Sequence, residues 1–346
     1  MISTSKRAGS PFQQATRQCG LTLIELMVAV AIGLLVTLAV GALFISTQQS
    51  YRENEAATRM QENARFAVEM LTADLRHAGY LGDVSDPSEV DVPSSLSNVA
   101  TNCAGGHFSL ISAGRYQVLE YGQALVDPAA SAAFADCFTG TTGTALPMNG
   151  TSVLAVKRTG TNTVETPVNN TVYVRADMGD AQMRYGGNFS ISQGEDREYR
   201  SNVYYIDTNN WLRRFRLVPD GANPMAWRSE AIAGGIEAFH IEFGLDADGD
   251  GNPDQIYSPG INADSTGDDT INNAVTATVH VLARTERGVD NYIEDRIYNL
   301  GDLVVDYSDG SAPTDDAGRH YMRRVYTATV VMRNLRNQVI LRGQGS

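Results

Sequence analysis

At 346 residues the chain is long enough for one large core or two modest ones. Its 27 basic against 40 acidic side chains, a formal net charge of −13, exclude a general basic surface for nucleic acid or anionic lipid. Without residues 1–20 and their three basic side chains the balance is 24 against 40, or −16, which suits a solvated surface or one that binds divalent cations.

The first element is an apolar run. From Leu21 to Phe44 every residue is apolar, small or Thr apart from Glu25. Continued to Ile45, the 25 residues make a helix of about 37 Å, enough to cross a hydrocarbon core of about 30 Å. Lys6, Arg7 and Arg17 precede it with no acid among residues 1–20, which keeps the amino terminus cytoplasmic and puts the remainder outside. A secretory signal peptide has a shorter apolar region, roughly 7 to 15 residues. A lipoprotein signal does not fit either, because Cys19 lies before the run. An unpaired carboxylate at Glu25 is costly in such a segment.

The helical pattern continues. Met60, Ala64, Ala67, Leu71 and Leu75 recur at three- and four-residue steps, with Phe66 and Met70 widening the stripe. Arg76 and His77 complement the negative end of the helix, Gly79 is a natural left-handed cap, and no proline occurs between Pro11 and Pro87. These signals predict one helix of some 55 residues ending near His77, about 83 Å long. Residues 82–114, rich in Ser, Asp, Pro and Gly, read as loop. Of three cysteines, Cys19 sits in the basic leader. Cys103 and Cys137 remain as a pair in an oxidising compartment, where a disulfide is the preferred reading over free thiols. A closed loop of about 35 residues would add up to roughly 4 kcal/mol in the chain-entropy model.

Strand candidates follow at 115–121, 152–158, 171–176, 202–207, 211–217, 236–243, 274–284 and 323–334. Val275, Ala277, Val279 and Val281 alternate along the seventh, as in a half-buried antiparallel strand. A hairpin turn is expected around Thr208 to Asn210. No repeat of fixed period is present.

Between two of these strands Asp246, Asp248 and Asp250 stand at alternate positions before Gly251, like the front of an EF-hand loop that surrounds Ca²⁺ with hard oxygen ligands. Asn252 would offer its carbonyl and Asp254 a further ligand. Tyr257 stands where the twelfth-position Glu belongs, and Asp264, Asp268 or Asp269 would have to substitute; the alternative is an acidic solvated turn. Residues 229–283 hold ten acidic side chains and no Lys or Arg, so these carboxylates lack cations nearby in sequence. Affinity on the order of 10⁻⁴ to 10⁻³ M is expected for such a structural ion.

For enzymes the motifs are missing: there is no G-x-S-x-G, P-loop, H-E-x-x-H or strand-bound G-x-G-x-x-G. The histidines at 77, 107, 240, 280 and 320 are scattered, and His240 and His280, in strands, read as satisfied structural residues. Trp211, Trp227 and the tyrosines read as sheet packing, and no catalytic site is assigned.

A short basic leader, Gly20, the apolar run and Glu25 together resemble the class III signal of type IV pilins and pseudopilins, with "CGLTLIELMVAVAIG" carrying the match. The resemblance implies cleavage by a prepilin peptidase after Gly20 and N-methylation of Leu21, where Phe is the commoner residue. It also implies that Glu25 meets the amino-terminal amine of a neighbouring subunit. Within that superfamily, "ENARFAVEMLTADLRHAGYLG" at 62–82, "FGLDADGDG" at 243–251, "VHVLARTE" at 279–286 and "RRVYTATVVMRNLR" at 323–336 resemble the PilW family of minor pilins. Residues 83–230 contribute little to that likeness.

The fold so implied is α+β, with a long amino-terminal helix on a mainly antiparallel β domain. Its parts are a cleaved leader (1–20), a transmembrane and assembly half-helix (21–45), an extracytoplasmic half-helix (46–79) and a pilin domain (80–346). The implied function is a non-enzymatic minor pilin that joins other minor pilins to prime pilus assembly, sits at the tip and supports twitching motility and adhesion. Its partners would be those pilins, the tip adhesin, the major pilin and the inner membrane before assembly, with no nucleic acid. The alternatives are a type II secretion pseudopilin of the J kind, usually much shorter, and an adhesin or DNA-uptake pilin using a basic patch at Arg213, Arg214 and Arg216.

Overall fold

A computed structural model describes residue 20 and residues 22–335, apart from 85, 98–102, 104–107, 109, 113–114, 132–133, 139–142, 178–179, 221–222, 263–268, 290–291 and 309–315. The chain divides into two compact units, Met1–Asn54 and Glu55–Ser346. The helix α1 spans Leu23–Arg76, ending just before the expected His77.

In the first unit the large side chains of α1 from Leu23 to Ile45 are exposed. By length and composition the helix can cross a membrane. Two of its hydroxyls are satisfied internally: Thr37 and Thr47 donate to the carbonyls of Gly33 and Leu43 at 2.8 Å, as an environment without water demands.

The second unit takes α1 from Glu55 onward. Met60, Ala64, Ala67, Leu71 and Leu75 are buried, as their spacing predicts. Leu71 and Leu75 are fully covered, a burial that contributes about 1.5 to 3 kcal/mol for each leucine. Phe66 does not widen the stripe: it lies about 200° around the helix from Ala64 and is exposed. Met70 is half-buried, and Val68 packs against the core. After Arg76 the chain tightens, with His77 and Ala78 amides donating to the Asp74 and Leu75 carbonyls, and Gly79 turns it at φ +70°.

In the expected loop 82–114 lie β1 (Val90–Asp91), α2 (Ser94–Ser97) and β2 (Ile111–Ser112). Then come β3 (Arg115–Tyr116), β4 (Leu119–Leu125), β5 (Thr151–Thr159), β6 (Val172–Asp177), β7 (Asp180–Tyr185) and β8 (Glu195–Ile206). The strands β9 (Trp211–Asp220), β10 (Asn223–Gly234), β11 (Ile236–Leu245), β12 (Gln255–Tyr257) and β13 (Ala274–Arg284) follow. The last are β14 (Ile297–Leu300), β15 (Leu303–Asp306) and β16 (Arg323–Val331).

One sheet has the order β1-β7-β6-β8-β5-β4, with β9 pairing β8 and β10 pairing β9; a second has the order β12-β11-β13-β16. Pairing is antiparallel except between β1 and β7. The expected strand 115–121 is split, because the Gln117 amide donates to the Leu110 carbonyl at 2.8 Å. The β8–β9 turn falls at 208–210, where Asp207 Oδ1 accepts the Asn209 and Trp211 amides, both at 2.9 Å, and Asn210 has φ +61°. Cys103 and Cys137 are joined, with Cα atoms 4.6 Å apart, in a small core with Phe134, Phe138, Val153 and Tyr205.

A buried carboxylate pins the helix to the first sheet. Asp74 Oδ1 accepts from Arg158 Nε at 2.9 Å and Nη2 at 2.6 Å. Its Oδ2 accepts from Asn202 Nδ2 and Tyr204 Oη, both at 2.6 Å. Four donors fill the lone pairs of a group that would otherwise be costly to bury. Burial, reinforced by the Asp74 charge, pushes the Tyr204 hydroxyl well above its ordinary value, so it stays a donor. Asp74→Ala leaves Arg158 buried without its counter-charge. A loss of about 3 to 5 kcal/mol is expected, read as a lower denaturant midpoint of the full chain in detergent; an unchanged midpoint would refute the pinning role.

Candidate functional site

Of the predicted processing and assembly residues, Glu25 lies in the first turn of α1. Gly20 is exposed, and Leu21 lies outside the described residues. Thr22 is the residue before the helix. Its Oγ1 accepts the Glu25 amide at 3.3 Å, while Glu25 Oε2 accepts from the Thr22 amide at 3.0 Å and from Thr22 Oγ1 at 2.9 Å. This reciprocal exchange is a capping box, which satisfies donors that every helix start leaves unpaired. The spacing T-x-x-E that signals it stands in the sequence as Thr22 and Glu25, and the sequence reading assigned Glu25 only an intermolecular partner. Glu25 therefore organises the first turn of its own helix.

The structure brings part of the acidic loop together. Carboxylate oxygens of Asp246, Asp248 and Asp254 lie within 4.8 Å of one another. Asp246, nearly buried, accepts the Gly249 amide at 2.7 Å and the Gly251 amide at 2.6 Å. Gly249 and Gly251 have φ +80° and +86°, which glycine adopts without steric cost. Asp254 Oδ2 accepts the Ala247 amide at 2.7 Å. Asp250 instead accepts from Asn252, at 2.7 Å from its amide and 3.0 Å from its side chain. Asp264 and Asp268 lie outside the described residues, as does the side chain of Asp269.

The scarcity of cations in residues 229–283 does not carry over into space. Glu230 pairs with Arg214 and, at 3.3 Å, with Arg216. Glu237 receives Arg323 at 2.6 Å and Arg284 at 3.1 Å. Arg213 pairs with Asp207 at 3.1 Å, so each arginine of the suspected basic patch faces a carboxylate. His240 and His280 are hydrogen-bonded, as strand histidines should be: His240 Nδ1 meets Tyr121 Oη at 3.0 Å, and His280 Nε2 meets Glu242 at 3.1 Å. Burial pushes the His240 imidazole below its ordinary value, opposed by the charge of Asp302.

The chain thus has an amino-terminal helix with an apolar exposed half, followed by a mainly antiparallel β unit. Residues 15–45 match the prokaryotic N-terminal methylation motif. Residues 203–334 match the family described as type IV pilus-assembly protein W. Over 61 residues, 17% of its length, it is 44% identical to the pilin-like protein PilA3 of Thermus thermophilus, of which it spans 26%. A solved type IV-like pilin from Thermus thermophilus shares 15% identity at a TM-score of 0.22, over 48% of this chain and 84% of the other.

The capping box has a direct readout. Thr22→Ala removes the cap, worth about 1 kcal/mol, and so should speed hydrogen exchange of the first-turn amides roughly fivefold in detergent micelles. Exchange as slow as in the wild type would show that the box contributes nothing.

Proposed function

We propose that the chain is a membrane-anchored precursor, cut after Gly20 and N-methylated on Leu21, that joins other minor pilins to prime type IV pilus assembly and occupies the tip. The observation that carries this reading is the exposed apolar half of α1, which needs lipid before assembly and other pilin helices afterwards. Glu25, besides capping its helix, meets the amino-terminal amine of a neighbouring subunit. A lone carboxylate in lipid is costly and a paired one much less so, which makes the pairing a device for helix register. The tip adhesin and the major pilin are the further partners, prepilin peptidase is the processing enzyme, and twitching motility and adhesion are the outputs.

Complementing a deletion strain tests the reading. Gly20→Phe should leave an uncut precursor in the inner membrane. Glu25→Ala should be cut normally but fail to restore pili and twitching, with type II secretion intact throughout. Assembled protein that retains residue 1, or a secretion defect with normal pili, would overturn it.

The 246–254 loop, on the same reading, holds a structural calcium ion. Calcium–oxygen distances of about 2.3 to 2.6 Å set ligands up to about 5 Å apart, which the Asp246, Asp248 and Asp254 oxygens satisfy. The Asp250 carboxylate and the Asn252 carbonyl complete the ligand set in this proposal. Calcium at ten times its dissociation constant should stabilise the full-length protein by about 1.4 kcal/mol over chelated samples, seen as a higher melting temperature that Asp248→Ala abolishes. Equal melting with calcium and with chelator would reduce the loop to a solvated turn.

A further inference from the structure

A second cluster of ligand-type side chains is built on β11. His240 in β11 stands directly across from His280 in β13, with rings stacked 6.2 Å apart. Glu242, two residues along, shares their face of the sheet. Asp302 reaches the same place from the two-residue turn between β14 and β15. That hairpin is held by Tyr298 and Leu300, which pack with Leu282 and Val325. At Gly301, φ +67°, an added Cβ would come within 2.5 Å of Glu242, so glycine lets the turn lie on the carboxylate.

The polar atoms converge. His240 Nε2 is 2.8 Å from Asp302 Oδ1, and the ligand atoms of His240, Glu242 and Asp302 all lie within 4.8 Å of one another. Tyr121 Oη accepts the Ile241 amide and donates to Ser152 Oγ, each at 3.1 Å. The same hydroxyl lies 3.0 Å from His240 Nδ1. Ser258 Oγ lies 3.1 Å from His240 Nε2 and donates to Asp302 Oδ1 at 2.7 Å, so a hydroxyl joins the same cluster.

The charge pattern agrees. Asp74, Asp196, Asp207 and Glu237 each face an arginine. Glu242 and Asp302 instead form their ion pairs with imidazoles, among the described residues.

We propose that His240, Glu242 and Asp302 bind one divalent ion of the zinc class, with His280 orienting Glu242. Imidazole nitrogen favours zinc over calcium or magnesium, which prefer oxygen alone. Tetrahedral zinc, with ligands at about 2.0 to 2.2 Å, separates them by about 3.3 Å. The 2.8 Å His240–Asp302 contact has to open by only about half an ångström to reach that. Water takes the fourth position from the side of Asp302, whose side chain is 47% exposed. The supporting contacts of a metal-bound histidine and carboxylate are in place: His240 Nδ1 meets Tyr121 Oη at 3.0 Å, and His280 meets Glu242 through Nε2 and Thr327 Oγ1 through Nδ1, each at 3.1 Å. The ion would tie the β14–β15 hairpin to the second sheet, whatever the assembly in which the subunit serves.

The test uses full-length protein in detergent, stripped with chelator and titrated with Co²⁺ and then Zn²⁺. One equivalent of Co²⁺ should give the visible bands of tetrahedral coordination, and Zn²⁺ should displace it. Asp302→Asn, at an exposed turn, and Glu242→Gln should each weaken binding at least tenfold with unchanged circular dichroism, while Asp248→Ala binds like the wild type. Absence of tetrahedral bands, or a folded Asp302→Asn protein that binds as tightly as the wild type, would overturn the proposal.

Discussion

The structure depends on fixing α1 to the β unit through a buried charge. Asp74 is 3% exposed, and only the convergence of Arg158, Asn202 and Tyr204 makes that burial tolerable. Those three donors come from β5 and β8, the strands that form the middle of the first sheet. Apolar packing by Leu71 and Leu75 supplies most of the attraction but little direction. The carboxylate supplies direction, because four hydrogen bonds are made in one rotation and register of the helix.

The same helix answers two solvents with two patterns. From Leu23 to Ile45 it is apolar and exposed. From Met60 to Leu75 its apolar residues narrow to one stripe on the sheet. That change was legible, since a long apolar run with a single charge and a 3.6-residue period are distinct signals. Phe66 was misread because its hydrophobicity was counted without its angle around the helix. Asp74 was invisible as an anchor, because its arginine partner is 84 residues away in the chain.

Strands were legible where alternation was strong and the run long. β13 falls on the residues its pattern predicts, and β11 extends two beyond them. β14 and β15 went unread at four residues each, although Gly301-Asp302 between them is a two-residue hairpin signal. β10 was hidden by Pro224 and by a mixed polar sequence that pairs with the arginines of β9. The acidic loop was legible because its residues are close in sequence. The His240, Glu242 and Asp302 cluster was not, since the β11 strand and the β14–β15 turn that supply it come together only in the folded unit.

Electrostatics sorts the carboxylates by what they meet. Most that lie near the core meet arginine, the 246–254 loop turns its own amides inward, and Glu25 closes on Thr22. What none of these contacts satisfies is the exposed apolar half of α1, and the proposed function rests on that surface packing against other pilins. A photo-crosslinking amino acid at Leu34, in pili sheared from cells, tests it most directly. The account predicts a covalent product with another pilin in the sheared fraction. A protein found only in the membrane fraction, or present in pili without any cross-linked pilin, would contradict it.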